Sequence, residues 1–259
     1  MKVILYKARK LHHFFSSLLF KAIPASVYYG FPGKRLKVYG ITGTDGKTTS
    51  STLLYHVLKT AGYRVALIST VAAYIDNEEI DTGFHVTSPE PWQIQKLLKR
   101  CLDAGIEHVV LEVTSHGVFQ FRIWGIDFVY TGVTNITNEH LDYFVDYPHY
   151  LSVKAELLLN AKKGAFLNED DQSFAPLKEI FKANGKKFLT YTQKISSDAL
   201  GKALKTRFHE KYNQWNGKLV AALAEQIGVP MDTIVAVMET FPGVRGRMEQ
   251  IRDPKGRKI

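Results

Sequence analysis

The sequence predicts an α/β fold, a mainly parallel sheet covered by helices on both faces. Three observations predict it. Apolar runs of strand length alternate with helical patterns along the chain. Several runs, such as VVLEV and RVALIS, are apolar almost throughout, as strands buried on both faces are. The first run, within Lys37–Ser50 (KVYGITGTDGKTTS), leads at once into a glycine-rich turn and then a helical pattern.

Taken in order, residues 1–36 form a short N-terminal helical extension. Lys2, Lys7, Arg9 and Lys10 precede an apolar, aromatic stretch, FFSSLLFKAIPASVYYGF. That order resembles a signal peptide, but Lys21 interrupts it and no uninterrupted run reaches membrane-crossing length. A helix packed against the following domain is expected, with peripheral contact to the inner membrane surface as the alternative. Residues 37–241 form the main domain. Thr49–Thr60 reads as a helix capped by Ala61-Gly62, and Arg64–Ser69 as the second strand. Residues 71–88 read as a hairpin or irregular loop. Pro91–Ala104 is an amphipathic helix with proline at its start and Gly105 past its end. Glu107–Val113 and Asp127–Val133 are the third and fourth strands. Then come a helix over 147–160, a strand over 164–168, a helix over 174–184, a strand over 186–191, and two helical patterns within 212–239. Residues 242–259 begin with a Pro/Gly-containing hinge, PGVRGRMEQ, and the ten residues beyond Glu249 are too few for a further domain.

Composition narrows the function classes. A 45% hydrophobic content excludes disorder as the default for these 259 residues. The single cysteine, Cys101, excludes an intramolecular disulfide; its helical setting makes it a core filler rather than a nucleophile. A net charge of +9 suits an anionic partner, yet Lys and Arg are spread along the chain without a long block. A polyanionic small substrate therefore explains the charge as well as nucleic acid does.

The chemistry concentrates at strand ends, where open parallel sheets bind ligands. Gly43, Thr44, Asp45, Gly46, Lys47, Thr48 and Thr49 follow the first strand. Glycines let backbone N–H groups turn inward, the helix presents its positive end, and Lys47 adds a point charge: a phosphate cradle. The full G-x-x-x-x-G-K-[ST] pattern is not met, because Ile41 stands where it requires glycine; the motif is the shorter G-x-x-G-K-T. Thr48 and Glu112, at the end of the third strand, are an oxygen pair suited to Mg²⁺. EVTSHG (112–117), TNITNEHLDY (134–143, with Asn135 and His140) and Lys154 complete the set.

On GITGTDGKTT (40–49), TSPEP (87–91), EVTSHGVFQFR (112–122), TNITNEHLDY, YLSVKAELL around Lys154, YNQWN (212–216) and GVRGRME (243–249), the chain resembles the Mur ligases, specifically their central domain. The resemblance covers about residues 37–250 in the family's order. It implies that Lys47 and the loop backbone bind ATP phosphates, with Thr48 and Glu112 on one Mg²⁺ and His140 on a second. It implies that Lys154 is carbamylated, and that Asn213 and Asn216 lie beside adenine. Thr87, Ser88, Thr114, Ser115, Gln120 and Arg122 would hold a UDP-muramoyl dipeptide. The implied activity is ATP-dependent amide-bond formation in peptidoglycan precursor synthesis. The third residue would be added to UDP-N-acetylmuramoyl-L-Ala-D-Glu through an acyl phosphate, by a cytoplasmic monomer whose partners are that substrate and an amino acid.

Departures from the family pattern are Asp45 for Asn, Glu139 for Asp, Phe144 for a second His, and Thr114 for Ser. The family's N-terminal uridine-binding domain is expected to be reduced to some 36 residues, and its C-terminal domain to be missing after the hinge. Three alternatives stand beside the incomplete-ligase reading. They are a folate- or polyglutamate-type ligase, a non-catalytic nucleotide-binding module, and a basic ATPase acting on nucleic acid; no basic-aromatic stripe supports the last.

Overall fold

Strand β1 (Lys37–Thr42) lies at the middle of the sheet and carries the fold's central device. Its residues alternate between two cores: Val38 packs into one, Tyr39 and Ile41 into the other. Gly40 has no side chain for a simple reason. A Cβ there would stand 2.8 Å from the Phe128 ring.

The computed structural model describes residues 2–76, 78–81, 88–139, 143–192 and 197–244. The helical run at the N-terminus comprises α1 (Lys2–His13), a π-helical stretch over Phe14–Ala22, and α2 (Ile23–Tyr28). After β1 come α3 (Lys47–Thr60), β2 (Val65–Ile68), β3 (Ala72–Ile75) and β4 (Glu78–Asp81). Then follow α4 (Pro91–Asp103), β5 (His108–Glu112), α5 (Ser115–Phe119), β6 (Phe128–Val133) and α6 (Tyr147–Leu159). The last elements are β7 (Ala161–Asn168), α7 (Phe174–Ala183), β8 (Phe188–Tyr191), α8 (Asp198–Arg207), α9 (Lys211–Ile227) and α10 (Met231–Thr240).

The eight strands form one sheet in the order β4-β3-β2-β5-β1-β6-β7-β8. β2, β5, β1, β6, β7 and β8 are parallel, while β3 and β4 add antiparallel at the β2 edge. One face is covered by α4, α5, α6 and α7, through Leu98, Phe119, Tyr150, Leu158 and Phe181. The other is covered by α3, α8, α9 and α10, through Leu54, Leu204, Leu223 and Met238. This is the predicted architecture. β1 sits between β5 and β6: from it the chain runs toward β2, returns through β5, and crosses to β6. The crevice at its carboxyl end is thus a topological switch point.

The structure refines several sequence expectations. Within 71–88, Ala72–Ile75 and Glu78–Asp81 pair antiparallel in register, as the two arms of a hairpin do, while residues 77 and 82–87 lie outside the described residues. Helix α8 lies outside the elements anticipated; its N-cap is Ser197, whose side chain accepts from Leu200 N. Cys101 is fully buried and its thiol is pushed up to about 12 by that burial, as a core filler's should be. The N-terminal run divides in two. Leu18, Ala22, Ala25 and Ser26 are buried against the domain, but no residue of α1 is.

Candidate active site

The turn Gly43–Gly46 joins β1 to α3 and is held in shape from the opposite side of the crevice. Gly43 (φ +151°) and Gly46 (φ +79°) both occupy backbone conformations that side chains resist. Space forbids side chains too. A Cβ on Gly43 would meet Thr134 Oγ1 at 1.8 Å, and one on Gly46 would meet Asn216 Oδ1 at 2.2 Å. The segment after β6 straps the turn down. Asp45 N donates to Asn135 Oδ1 (3.1 Å), Asn135 Nδ2 donates to Asp45 O (3.2 Å), and Thr44 N donates to Asn135 O (2.8 Å). Thr134 Oγ1 donates to Asp45 O at 2.5 Å, and Thr137 N to Thr44 Oγ1 at 3.0 Å.

Lys47 opens α3 and folds back over the turn, its Nζ donating to Gly43 O (3.0 Å) and Thr44 O (2.5 Å). Those carbonyls hold the ammonium above the helix N-terminus, where backbone N–H groups and the helix dipole favour an anion. The next residue, Thr48, donates from Oγ1 to Glu112 Oε1 at 3.1 Å. Glu112 is only 2% exposed, and its other oxygen accepts from Thr70 N (3.1 Å) and Thr70 Oγ1 (3.2 Å). A hydroxyl and a buried carboxylate at the mouth of a phosphate loop form a hard-oxygen donor pair, and that chemistry fits Mg²⁺. No cluster of three or more His, Cys, Asp or Glu exists among the described residues. This is compatible with an ion that usually keeps waters and takes few protein ligands.

Lys154 departs most from ordinary residue placement. It is 1% exposed on α6, it donates from Nζ to Gly43 O at 2.7 Å, and its Nζ stands 4.7 Å from the Tyr150 ring centroid. It makes no ion pair among the described residues. Burial first, and the Lys47 charge second, hold it well below the usual lysine range. Gly43 O thus accepts from two lysines, which brings their like charges close together. Tyr150 is pushed up to about 12 by burial, and its hydroxyl lies 3.3 Å from Thr44 Oγ1.

Asn213 and Asn216, on the first turns of α9, are both 3% exposed and bonded to each other at 3.2 Å. The close approach at Gly46 places Asn216 directly against the phosphate turn. Of the residues expected to hold the dipeptide, Ser88, Thr114, Gln120 and Arg122 share one network. Ser88 Oγ lies 3.1 Å from Thr114 Oγ1, and Thr114 caps α5 by accepting from Gly117 N. Arg122 donates to Ser88 O (2.5 Å) and to Gln120 Oε1 (2.9 Å from Nε), and pairs with Glu90 at 2.9 Å. Ser115 is buried nearby, in the first turn of α5. The structure therefore brings Lys47, Thr48, Glu112, Lys154, Asn135 and Asn216 around one turn, with the Ser88–Arg122 cluster beside α5. Thr87 and His140 lie outside the described residues.

Two residues that the sequence reading did not single out matter here. Thr70 satisfies one oxygen of Glu112, and its place just past a strand is the signal that could have found it. Thr134 closes over Gly43, and only the contact itself reveals that.

Comparison with known proteins shows the family. Residues 41–230 match the family model described as Mur ligase middle domain. A UDP-N-acetylmuramoyl-L-alanyl-D-glutamate–2,6-diaminopimelate ligase of Bacteroides fragilis is 36% identical over 250 residues, covering 90% of this chain and 50% of that protein. The same-named protein of Clostridium botulinum is 36% identical over 250 residues, covering 88% and 50%. The chain spans about half the length of the curated relatives it matches. Among solved structures, one of a ligase of that name superposes with a TM-score of 0.68 at 24% identity, over 84% of this chain and 49% of the other. E. coli FolC in complex with DHPP and ADP superposes at 0.66 and 16% identity, over 88% and 63%, a likeness of fold alone. With most of its sheet and its phosphate turn inside the matched middle domain, the chain belongs to the Mur ligase family.

Proposed function

We propose that this chain is the ATP-binding core of a ligase that adds the third residue to UDP-N-acetylmuramoyl-L-Ala-D-Glu. The observation that carries the proposal is the convergence of Lys47, Thr48 and the buried Glu112 on a single phosphate turn at the switch point of the sheet. The relatives' printed name supplies the substrate and makes 2,6-diaminopimelate the first amino acid to try.

In this reading the dipeptide's carboxylate attacks the γ-phosphorus of ATP, and the bond to the β–γ bridging oxygen breaks to release ADP. The incoming amine attacks the resulting acyl carbon, loses a proton to solvent, and expels inorganic phosphate. Lys47 and the α3 N-terminus hold the triphosphate against the approaching carboxylate, which is positioning plus electrostatics. Thr48 and Glu112 would hold Mg²⁺, which supplies charge neutralisation and polarises phosphoryl oxygen when bound. Asn213 and Asn216 border the base, and Asn135 keeps the turn in its receptive shape. Ser88, Thr114, Ser115, Gln120 and Arg122 face the muramoyl dipeptide, with Thr87 adjoining them in sequence.

Lys154 is the carbamylation site of this reading. Burial disfavours its charged form; as the free amine, its Nζ lone pair bonds to the carbon of CO₂ and one N–H proton is released, so an amine becomes an anionic oxygen ligand. That anion, with His140, belongs to a second Mg²⁺ site. ATP turnover places the protein on the cytoplasmic side, and it acts as a monomer.

Calorimetry with Mg·ATP and, separately, the UDP-muramoyl dipeptide tests the assignment without requiring turnover. Binding of both supports the reading. Binding of Mg·ATP alone removes the substrate assignment, and binding of neither removes the function. A ¹³C-bicarbonate carbamate signal that is present in the wild type and lost in Lys154→Met tests the modification. Its absence from the wild type refutes it.

A further inference from the structure

The basic residues of this chain are spread along it, but the acidic ones are not. Residues 1–44 contain eight Lys or Arg and no Asp or Glu, the first acid being Asp45. Those residues therefore carry +8 of the chain's net +9. The same segment leaves an apolar face uncovered. Ile4 is 74% exposed and Phe20 73%, and Leu5, Leu11, Phe15, Val27 and Tyr28 are all exposed as well. Lys2, Lys7 and Lys10 are interspersed with them and also exposed. At the end of the run, Tyr28, Tyr29 and the half-exposed Trp92 form an aromatic group, with ring centroids 4.9 to 6.1 Å apart.

We infer that the N-terminal helical run lies flat on an anionic lipid bilayer, its apolar face in the headgroup–acyl boundary and its lysines on the lipid phosphates. Three features select this occupant. No helix among the described residues is long and apolar enough to cross a membrane, so the run lies in the surface plane. Two copies of this chain would bring two strongly basic faces together, whereas anionic lipid is complementary to both the charge and the apolar stripe. Amphipathic Tyr and Trp rings at the edge of an apolar face suit the interfacial layer, where one end is apolar and the other wet.

The run is tied to the body of the domain at the Gln120–Arg122 cluster. Ser17 Oγ donates to Gln120 O at 2.5 Å, and Lys21 pairs with Glu90 at 3.1 Å, the carboxylate that also holds Arg122. His13 Nε2 lies 3.1 Å from the Tyr143 hydroxyl, which accepts from Gln120 Nε2. Docking therefore sets that cluster at the lipid boundary, independently of which substrate it binds.

The test is co-sedimentation of the full chain with phosphatidylcholine vesicles and with mixed phosphatidylcholine–phosphatidylglycerol vesicles. The expected result is binding to the anionic vesicles, reduced at least about tenfold on neutral ones and weakened by salt. Lys7→Gln with Lys10→Gln should lower the partition coefficient about fivefold per lysine. Phe20→Ser should lower it roughly tenfold. All three side chains are exposed, and an unchanged melting temperature confirms that the variants fold. Absence of binding to anionic vesicles overturns the proposal, as does equal binding to neutral ones or a Phe20→Ser variant that binds like the wild type. Sedimentation equilibrium showing a self-associated chain that Phe20→Ser dissociates would assign the face to a second copy and overturn it too.

Discussion

The two ends of this molecule invert the usual distribution of residues in opposite ways. Around the phosphate turn, Glu112 and Lys154 are charged-type side chains sealed from solvent, at 2% and 1% exposure. On the N-terminal run, Ile4 and Phe20 are apolar side chains left about three-quarters bare. Lys and Glu are almost never fully buried unless paired, and contiguous exposed apolar surface is uncommon on a soluble domain. Each inversion costs stability, so neither is explained by folding alone. The first gathers the groups that the proposed nucleotide chemistry would use; the second is the surface that the proposed lipid contact would cover. What they teach together is that the framework between them, a sheet with two ordinary apolar cores, is what makes both tolerable.

The comparison can be broken first at the phosphate turn. Lys47→Ala should lower Mg·ATP affinity by roughly 100-fold in calorimetry, because it removes the only cation donating to both turn carbonyls among the described residues. An unchanged affinity would remove the turn from the nucleotide site. Next in size, Gly46→Ala puts a Cβ into Asn216 at a left-handed φ, so the melting temperature should fall by about 5 °C or more. The contrast sharpens with Lys154→Met, which replaces a desolvated amine by an apolar chain of similar length. Chemical denaturation at neutral pH should show equal or greater stability, by about 1 kcal/mol. A large loss would mean that Lys154 is structural rather than functional. Phe20→Ser, on the bare face, should stay within about 0.5 kcal/mol of wild type.

A buried titratable group outside both regions adds a pH dependence to stability. His108, at the amino end of β5, lies 2.9 Å from the Tyr39 hydroxyl and is pushed down to about 4, mainly by burial. Its folded value lies below its unfolded one, so the unfolded chain binds the extra proton. Its contribution to stability is full above about 6.5 and is lost as pH falls toward 4. Urea midpoints measured across that window should decline in the wild type and flatten in His108→Gln.

Much of this was legible in one dimension. The alternation of apolar runs and helical patterns gives the parallel sheet, because strands buried on both faces must be apolar throughout and need crossover helices. GTDGKTT gives the phosphate turn, since Gly43 and Gly46 are the residue type that a left-handed bend and close backbone approach require. Helix α8 was not legible, because DALGKALKTR is short with only four apolar residues, and its packing against α10 supplies what its pattern lacks. The 72–81 hairpin was ambiguous because AAYI and EEID are short and their pairing partner lies across a turn.

What the sequence by itself determined is local: strand, turn and helix propensities, the cap residues, and the order of chemistry-bearing residues at strand ends. What only the tertiary structure decided is which of those residues share a dielectric environment. Lys154 reads in sequence as an ordinary helical lysine. It becomes a desolvated amine because α6 packs it beneath Gly43, 111 residues away in the chain. Glu112 reads as an end-of-strand carboxylate and becomes a buried acceptor once Thr48 and Thr70 close on its two oxygens. Desolvation acts through space over a few ångströms, and no pattern along the chain encodes that distance.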